Sequence, residues 1–238
     1  MSLVEEWWRR ASVTTRTPDG SALLLLALAA LVAVIVAWPL VRMLVTVCHE
    51  AGHAVAATLT GRSLRGIRLH TDTSGVTVTR GRPTGAGMVI TLLAGYPGAS
   101  LVGLLAAAVA GAGHAVGMLW LLVGLLALMF LKIRNLYGAL VVVTLGGALA
   151  VGTWDAPTRV LVWLAYALAW LLLLAGPRPV LELAVSRRRG AGSSDAAQLA
   201  RLTHLPGTVW ILAWLVVTVS ALALGTAMML PGLVPGIG

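Results

Sequence analysis

Residues 21–38 read SALLLLALAALVAVIVAW, from Ser21 to Trp38, with no charged side chain among them. At about 1.5 Å per residue a helix of that length reaches roughly 27 Å, close to the hydrocarbon thickness of a bilayer. The rest of the chain repeats the theme. Of its 238 residues 59% are hydrophobic and 11% charged, against about half and about a quarter in an ordinary soluble domain. So much apolar side chain, gathered in long runs, has no soluble core to enter. A soluble enzyme, a disordered tail, a coiled coil and a disulfide scaffold are excluded together. The single cysteine, Cys48, has no partner for an internal bridge.

Working outward, Pro39 and Arg42 interrupt the run, and a second apolar stretch follows from Met43 to Thr60. Proline cannot supply a helical N–H, so 21–60 reads either as two helices or as one kinked helix. Further apolar segments cover about 85–111, 115–131, 136–152, 160–175 and 207–230, and the residues from Pro231 onward read as a loose tail. The segment 85–111 contains a break at Ala94-Gly95-Tyr96-Pro97-Gly98. Between 61 and 82 the chain is polar and basic, and the alternation Gly75-Val76-Thr77-Val78-Thr79 predicts a short strand, half of a hairpin. The expected fold is an all-α polytopic membrane protein of about seven transmembrane helices, with a strand-bearing loop after the second. Residues 1–20 form an N-terminal segment, and 21–238 one membrane-embedded domain with polar connections at 61–82 and 176–206.

The formal charge is +9, nearly all of it from arginine. In a soluble protein this would suggest nucleic acid; in a membrane protein it marks cytoplasmic loops, so no nucleic-acid partner is expected. With seven spans, Arg9, Arg10 and Arg16 fall on the same side as the arginines of 61–82, Lys132 and Arg134, and those of 176–206, including Arg187-Arg188-Arg189. That places the N-terminus in the cytoplasm of a multi-pass protein of the cell membrane. The polar first twenty residues do not read as a cleavable signal; Trp7 and Trp8 suit an interfacial anchor. Arginine over lysine, with abundant Ala, Val, Gly and Leu, fits a GC-rich bacterial source.

The chemistry concentrates in Cys48-His49-Glu50-Ala51-Gly52-His53. This is H-E-x-x-H on an apolar helix. Residues four apart lie on one helix face, so both imidazoles can reach one Zn²⁺, while Glu50 beside them can take a proton from a metal-activated water. Ionisable groups in a membrane helix are costly and usually functional, and a metal supplies the partner that three of them need. Hydrogen-bonded helix packing is the plain alternative. A site roughly 10 Å from the cytoplasmic boundary is expected from the distance to Thr60, with a water path to it.

His49 to His53, then the strand Ser74-Gly75-Val76-Thr77, the break Ala94 to Gly98 with Gly103, Asn135, and Ser193-Ser194-Asp195-Ala196 together resemble the site-2 protease superfamily. More narrowly, they resemble its small bacterial and plant peptidase M-fifty-B-like branch. The resemblance spans about 45–215 and implies a zinc-dependent intramembrane endopeptidase. The family takes its third ligand from an Asp following an Asn-bearing motif. Asn135 stands where that Asn belongs, with a role in orienting substrate or water, but 139–147 holds neither acid nor His. Asp195 is ranked first as third ligand, although Ser194-Asp195 also reads as a helix N-cap. Glu182 is second. Asp155 falls on the wrong side, and His70, Asp72 and His204 have only proximity.

The function expected is a membrane-embedded zinc metalloendopeptidase, with His49, His53 and Asp195 on the metal and Glu50 as general base. Its partners would be the bilayer and a membrane protein or peptide substrate. Two rivals stand beside it: a zinc peptidase acting on unfolded chains, and an inactive pseudoprotease that binds membrane proteins. Gly75 to Val78 reads either as an edge to which substrate adds as a strand or as an ordinary hairpin. The break at 94–98 either lines a cavity or is close helix packing.

Overall fold

The computed structural model describes residues 2–187 and 194–230. Arg188, Arg189, Ser193 and the tail from Pro231 lie outside the described residues. Helix α1 (Leu3–Ala11) is followed by α2 (Gly20–Val36) and α3 (Trp38–Leu59), then the strands β1 (Ser63–Leu69) and β2 (Gly75–Arg80). Helices α4 (Ala86–Leu93), α5 (Gly98–Gly111), α6 (Ala115–Phe130) and α7 (Leu136–Asp155) come next. Helix α8 (Thr158–Ala175) runs through Gly176 into α9 (Pro177–Arg187), and α10 (Asp195–Thr203) and α11 (Gly207–Met229) complete the order.

Pro39 explains the first departure from expectation. It removes one backbone donor and pushes on the carbonyl four residues back, while it is tolerated in the first turn of a new helix. Accordingly α2 ends at Val36 and α3 begins with Pro39 in its first turn. The two axes bend by 100°. The guanidinium of Arg178 fills the gap, donating to the Val34 carbonyl and lying 4.1 Å over the Trp38 ring. α3 therefore turns across the end of the bundle instead of running back beside α2.

Contacts define two ends. At the far end, Thr15 N donates to Gly113 O at 2.8 Å, Tyr166 Oη donates to Thr17 at 3.2 Å, and Arg10 lies 4.9 Å over Trp154. At the hairpin end sit the strands, residues 131–135, α9 and α10. α2 runs from the far end, beside Thr158 and Val162, to the hairpin end at Arg178, parallel to α8. Three helices, α7, α8 with α9, and α11, are long and apolar enough to cross a membrane, or up to five if each bent pair is one span. α6 is a shorter apolar helix beside them. Seven spans are not confirmed among the described residues, and the N-terminal residues pack at the end opposite the hairpin. Residues 21–60 form two helices joined at a right-angle bend, the geometry of a broken span or a re-entrant turn.

The main core joins α2, α5, α6, α8 and α11 through Ala30, Ala107, Ala110, Ala115, Ala165 and Ala221, all buried. Small residues let helix backbones approach where lipid gives no hydrophobic drive. The outward faces of α2, α7 and α11 are apolar and exposed, among them Leu25, Ile35, Leu140, Val151, Leu212 and Val216, as a lipid-facing surface requires. β1 and β2 pair antiparallel, Ile67 opposite Thr77 and Leu69 opposite Gly75, with an irregularity between Leu64 and Gly66. The expected half-hairpin is a whole one. Ile133 bridges Ile67 in parallel on the other edge of β1.

Candidate metal centre

α3 crosses under the break between α4 and α5, and two glycines set how closely. A Cβ on Gly52 would strike the Ala94 carbonyl, and one on Gly95 would lie 2.5 Å from His53 Nε2 and 2.6 Å from His49 Cε1. The break at 94–98 is thus close packing against both imidazoles. Across it the helices bend by 67°.

His53 is buried and His49 partly buried. His53 Nδ1 lies 2.7 Å from the Thr91 carbonyl. A carbonyl only accepts, so the proton sits on Nδ1 and Nε2 keeps its lone pair. Such a bond to the far nitrogen is how proteins orient a ligating imidazole. His49 has no such bond among the described residues. Its ring is held edge-on by Tyr96 at 4.9 Å, Tyr96 stacks on Trp214 at 4.5 Å, and Trp214 Nε1 donates to Leu93 O at 2.9 Å.

The third group comes from α10. Ser194 is its N-cap, its hydroxyl accepting from Ala197 N at 3.3 Å, which leaves Asp195 at the first helical position free to face α3. Asp195 Oδ2 lies 3.3 Å from Nε2 of both His49 and His53, and the two Nε2 atoms are 2.9 Å apart. The donor atoms of the three residues all fall within 4.8 Å of one another. α10 is polar and lies outside the apolar spans. Burial opposes ionisation of Asp195, but the imidazoles of His49 and His53 beside it outweigh that and hold the carboxyl below the ordinary range. Two donors at about 2.0–2.1 Å from one tetrahedral ion are roughly 3.3 Å apart. The spacing and the His-His-carboxylate donor set therefore fit a zinc-type ion.

Glu50 occupies the other flank of α3 and is 3% exposed. Its Oε2 accepts from Thr77 Oγ1 at 2.5 Å, and a Cβ on Gly75 would lie 2.6 Å from its Cγ and Oε1. Thr46 Oγ1 donates to Thr73 O at 2.7 Å, tying the hairpin tip to the same helix. The hairpin shows an inverted alternation: Val76 and Val78 face outward and are exposed, while Gly75 and Thr77 face the glutamate. That pattern is the signal by which Thr77 was findable; Thr91, Trp214 and the role of Tyr96 carry none, because each depends on tertiary packing.

The remaining candidates lie elsewhere. Asn135 sits across β1 from Glu50, with Nδ2 donating to Leu69 O at 2.7 Å and Oδ1 accepting from Leu69 N at 3.2 Å. Glu182 is drawn to Arg178 at 3.5 Å and Arg42 at 3.9 Å. Asp155 ends α7 at the far end. Asp72 and His70 share the hydroxyl of Ser74 in the hairpin turn, and His204 is the left-handed C-cap of α10.

Fold and site define a polytopic helical membrane protein with a candidate metal centre built on one helix and closed by a distant acid. A sequence profile of the family described as Peptidase M50B-like matches residues 21–225, and the chain belongs to that family. Membership implies an intramembrane metallopeptidase, generally zinc-dependent in this family. No curated protein and no solved structure matches the chain.

Proposed function

We propose that the protein is a zinc-dependent endopeptidase that cleaves membrane-associated or transmembrane polypeptides at the hairpin end of its helical bundle. The observation that carries this reading is the convergence of His49, His53 and Asp195, whose donor atoms lie within 4.8 Å, beside the buried Glu50. His49, His53 and Asp195 would hold the ion. A bound Zn²⁺ supplies a polarised carbonyl and water acidified towards neutral pH. Glu50 accepts the proton from the attacking water and returns it to the leaving amine. Thr77 fixes the rotamer of that carboxylate, and Thr91 fixes the tautomer of His53.

Substrate docks along β2. The backbone groups of Ile67 point to Lys132 and Arg134 and those of Leu69 to Asn135, while His70 bonds Ser74. By alternation along an antiparallel pair, the N–H and C=O of Gly75 and Thr77 point away from β1. Outside the hairpin ladder no backbone bond involves them among the described residues. An extended polypeptide can add as a strand there, beside Glu50 on which both residues pack.

The hairpin end also carries every described Lys and Arg except Arg9, Arg10, Arg16 and Arg159. The positive-inside rule then sets the metal centre at the cytoplasmic face. Counting α6 and each bent pair as one crossing makes six traverses in this reading, and the N-terminus would then face the opposite side, where α1 balances Arg9 and Arg10 against Glu6 at 2.7 and 2.6 Å.

Metal content of the detergent-purified protein, read beside cleavage of a bilayer-embedded reporter, tests the proposal. About one zinc per chain in wild type, lost in His49→Ala, with cleavage abolished but zinc retained in Glu50→Gln, is the expected result. Zinc retained with no cleavage in wild type against either a membrane or an unfolded soluble reporter would favour the pseudoprotease. Absence of zinc from folded, zinc-reconstituted wild type would end the reading.

A further inference from the structure

The far end holds a second polar feature, a full span from the metal centre and unused by the peptidase chemistry. A cavity of about 440 Å³ opens between residues 14–19 and the first turns of α8. Thr14, Arg16, Asp19, Thr158, Arg159 and Trp163 are among its lining residues. Arg16 and Arg159 make no ion pair among the described residues. Two guanidinium groups thus face one carboxylate, and this is the end of the molecule where cations are scarce.

The backbone adds to the same sign of charge. α2 and α8 both begin at the cavity, and neither start has a side-chain cap. Uncapped first-turn N–H groups carry the positive end of the helix dipole and accept anions readily. The hydroxyls of Thr14 and Thr158 have no hydrogen-bond partner among the described residues. Beside the cavity the exposed side chains turn apolar, at Leu24, Leu25 and Val160. Trp7, Trp8 and Trp163 are exposed at this end, as in the aromatic belt of a membrane interface.

We propose that this cavity binds a phosphate-class anion, presented either by the headgroup of an anionic phospholipid or free in solution. Arg16 and Arg159 neutralise it, and the N-termini of α2 and α8 complete its hydrogen bonds. Occupation pins the first span to α8. The site stands independently of the peptidase reading.

The test uses the delipidated full-length chain in detergent, with native mass spectrometry of retained adducts. Dioleoyl phosphatidylglycerol, dioleoyl phosphatidylcholine and inorganic phosphate are the probes. At about fivefold per interfacial arginine, Arg16→Gln and Arg159→Gln should each weaken binding about fivefold and together about 30-fold. Arg9→Gln, on α1 and outside the cavity, should leave it unchanged. Retention of phosphatidylglycerol over phosphatidylcholine, insensitive to inorganic phosphate, identifies the lipid headgroup as the source. Binding of inorganic phosphate alone, competing with phosphatidylglycerol and lost in the same variants, identifies the free anion. Equal retention of both lipids with no phosphate adduct overturns the proposal. So does binding unchanged in either single variant, each checked for a monodisperse, helical fold.

Discussion

The two flanks of α3 are held by different means. On the histidine flank, backbone meets backbone: Gly52 lies under Ala94, Gly95 under the imidazoles, and Thr91 O on His53. The acid that closes that flank arrives from α10, more than a hundred residues later. On the glutamate flank the partner is a local two-stranded hairpin, joined through the Thr77 hydroxyl and the bare Gly75. The difference separates the work. In the proposed peptidase the histidine flank holds the ion, and its geometry depends on the whole bundle. In the same proposal the glutamate flank carries the proton acceptor, held by a surface hairpin along which substrate would dock.

Breaking the histidine flank should cost most. His53→Ala removes a donor and leaves Asp195 buried without its partner, so metal and cleavage are both expected to disappear. Zinc analysis together with the reporter assay checks this, and full zinc occupancy in the variant would dissolve the contrast. On the other flank, Glu50→Gln is expected to lower kcat by about 10²–10⁴, the usual contribution of a general base, with zinc content unchanged. Co-loss of metal in a folded Glu50→Gln protein would show that the two flanks are one unit.

Finer changes sharpen the comparison. Gly95→Ala places a methyl against both imidazole rings and is expected to weaken zinc affinity by about 10–100-fold, the scale of outer-shell defects. Competition with a chelator measures it, and an unchanged affinity would show that the break yields easily. Thr77→Val removes the bond to Glu50 at constant volume. It should reduce kcat about tenfold through a misplaced carboxylate without moving zinc affinity, and Thr77→Ser should restore most of it. A rise in KM alone would instead make Thr77 a substrate contact.

How far the sequence carries is visible in the same two flanks. His49, Glu50 and His53 are legible because their relation is set within one helical turn. Ser194 and Asp195 were legible only as alternatives, cap or ligand. In the structure Ser194 is the cap and Asp195 turns inward toward the two imidazoles, an arrangement that depends on where α10 docks. Helices α5 to α8 and α11 follow their apolar runs closely, since each run is bounded by polar or glycine-rich turns. The path of α3 was not legible: a proline between two apolar runs is compatible with a reversal, a kink or a right angle. Here Trp38 under Arg178 stabilises the third. The arginine pattern is silent on how α1 docks, since its packing on Trp120 and Trp154 depends on the arrangement of the bundle.

The smallest expected effect concerns Asn135, which stands behind the glutamate flank. Its amide bonds both backbone groups of Leu69, extending by one side chain the ladder that Ile133 begins on β1. With both ends of the amide engaged, a role in orienting substrate would have to pass through the hairpin. Asn135→Ala removes two hydrogen bonds at about 0.5–1.5 kcal/mol each, so a loss of about 1–3 kcal/mol is expected in denaturant titration. Zinc affinity should hold, and kcat should fall less than in Thr77→Val, since Gly75 and Thr77 still pack on Glu50 directly. Asn135→Asp keeps the acceptor for Leu69 N but loses the donor to Leu69 O, and should fall between wild type and alanine. Unchanged stability with a raised KM would place Asn135 on the substrate, and the hairpin's hold on Glu50 would then be independent of α7.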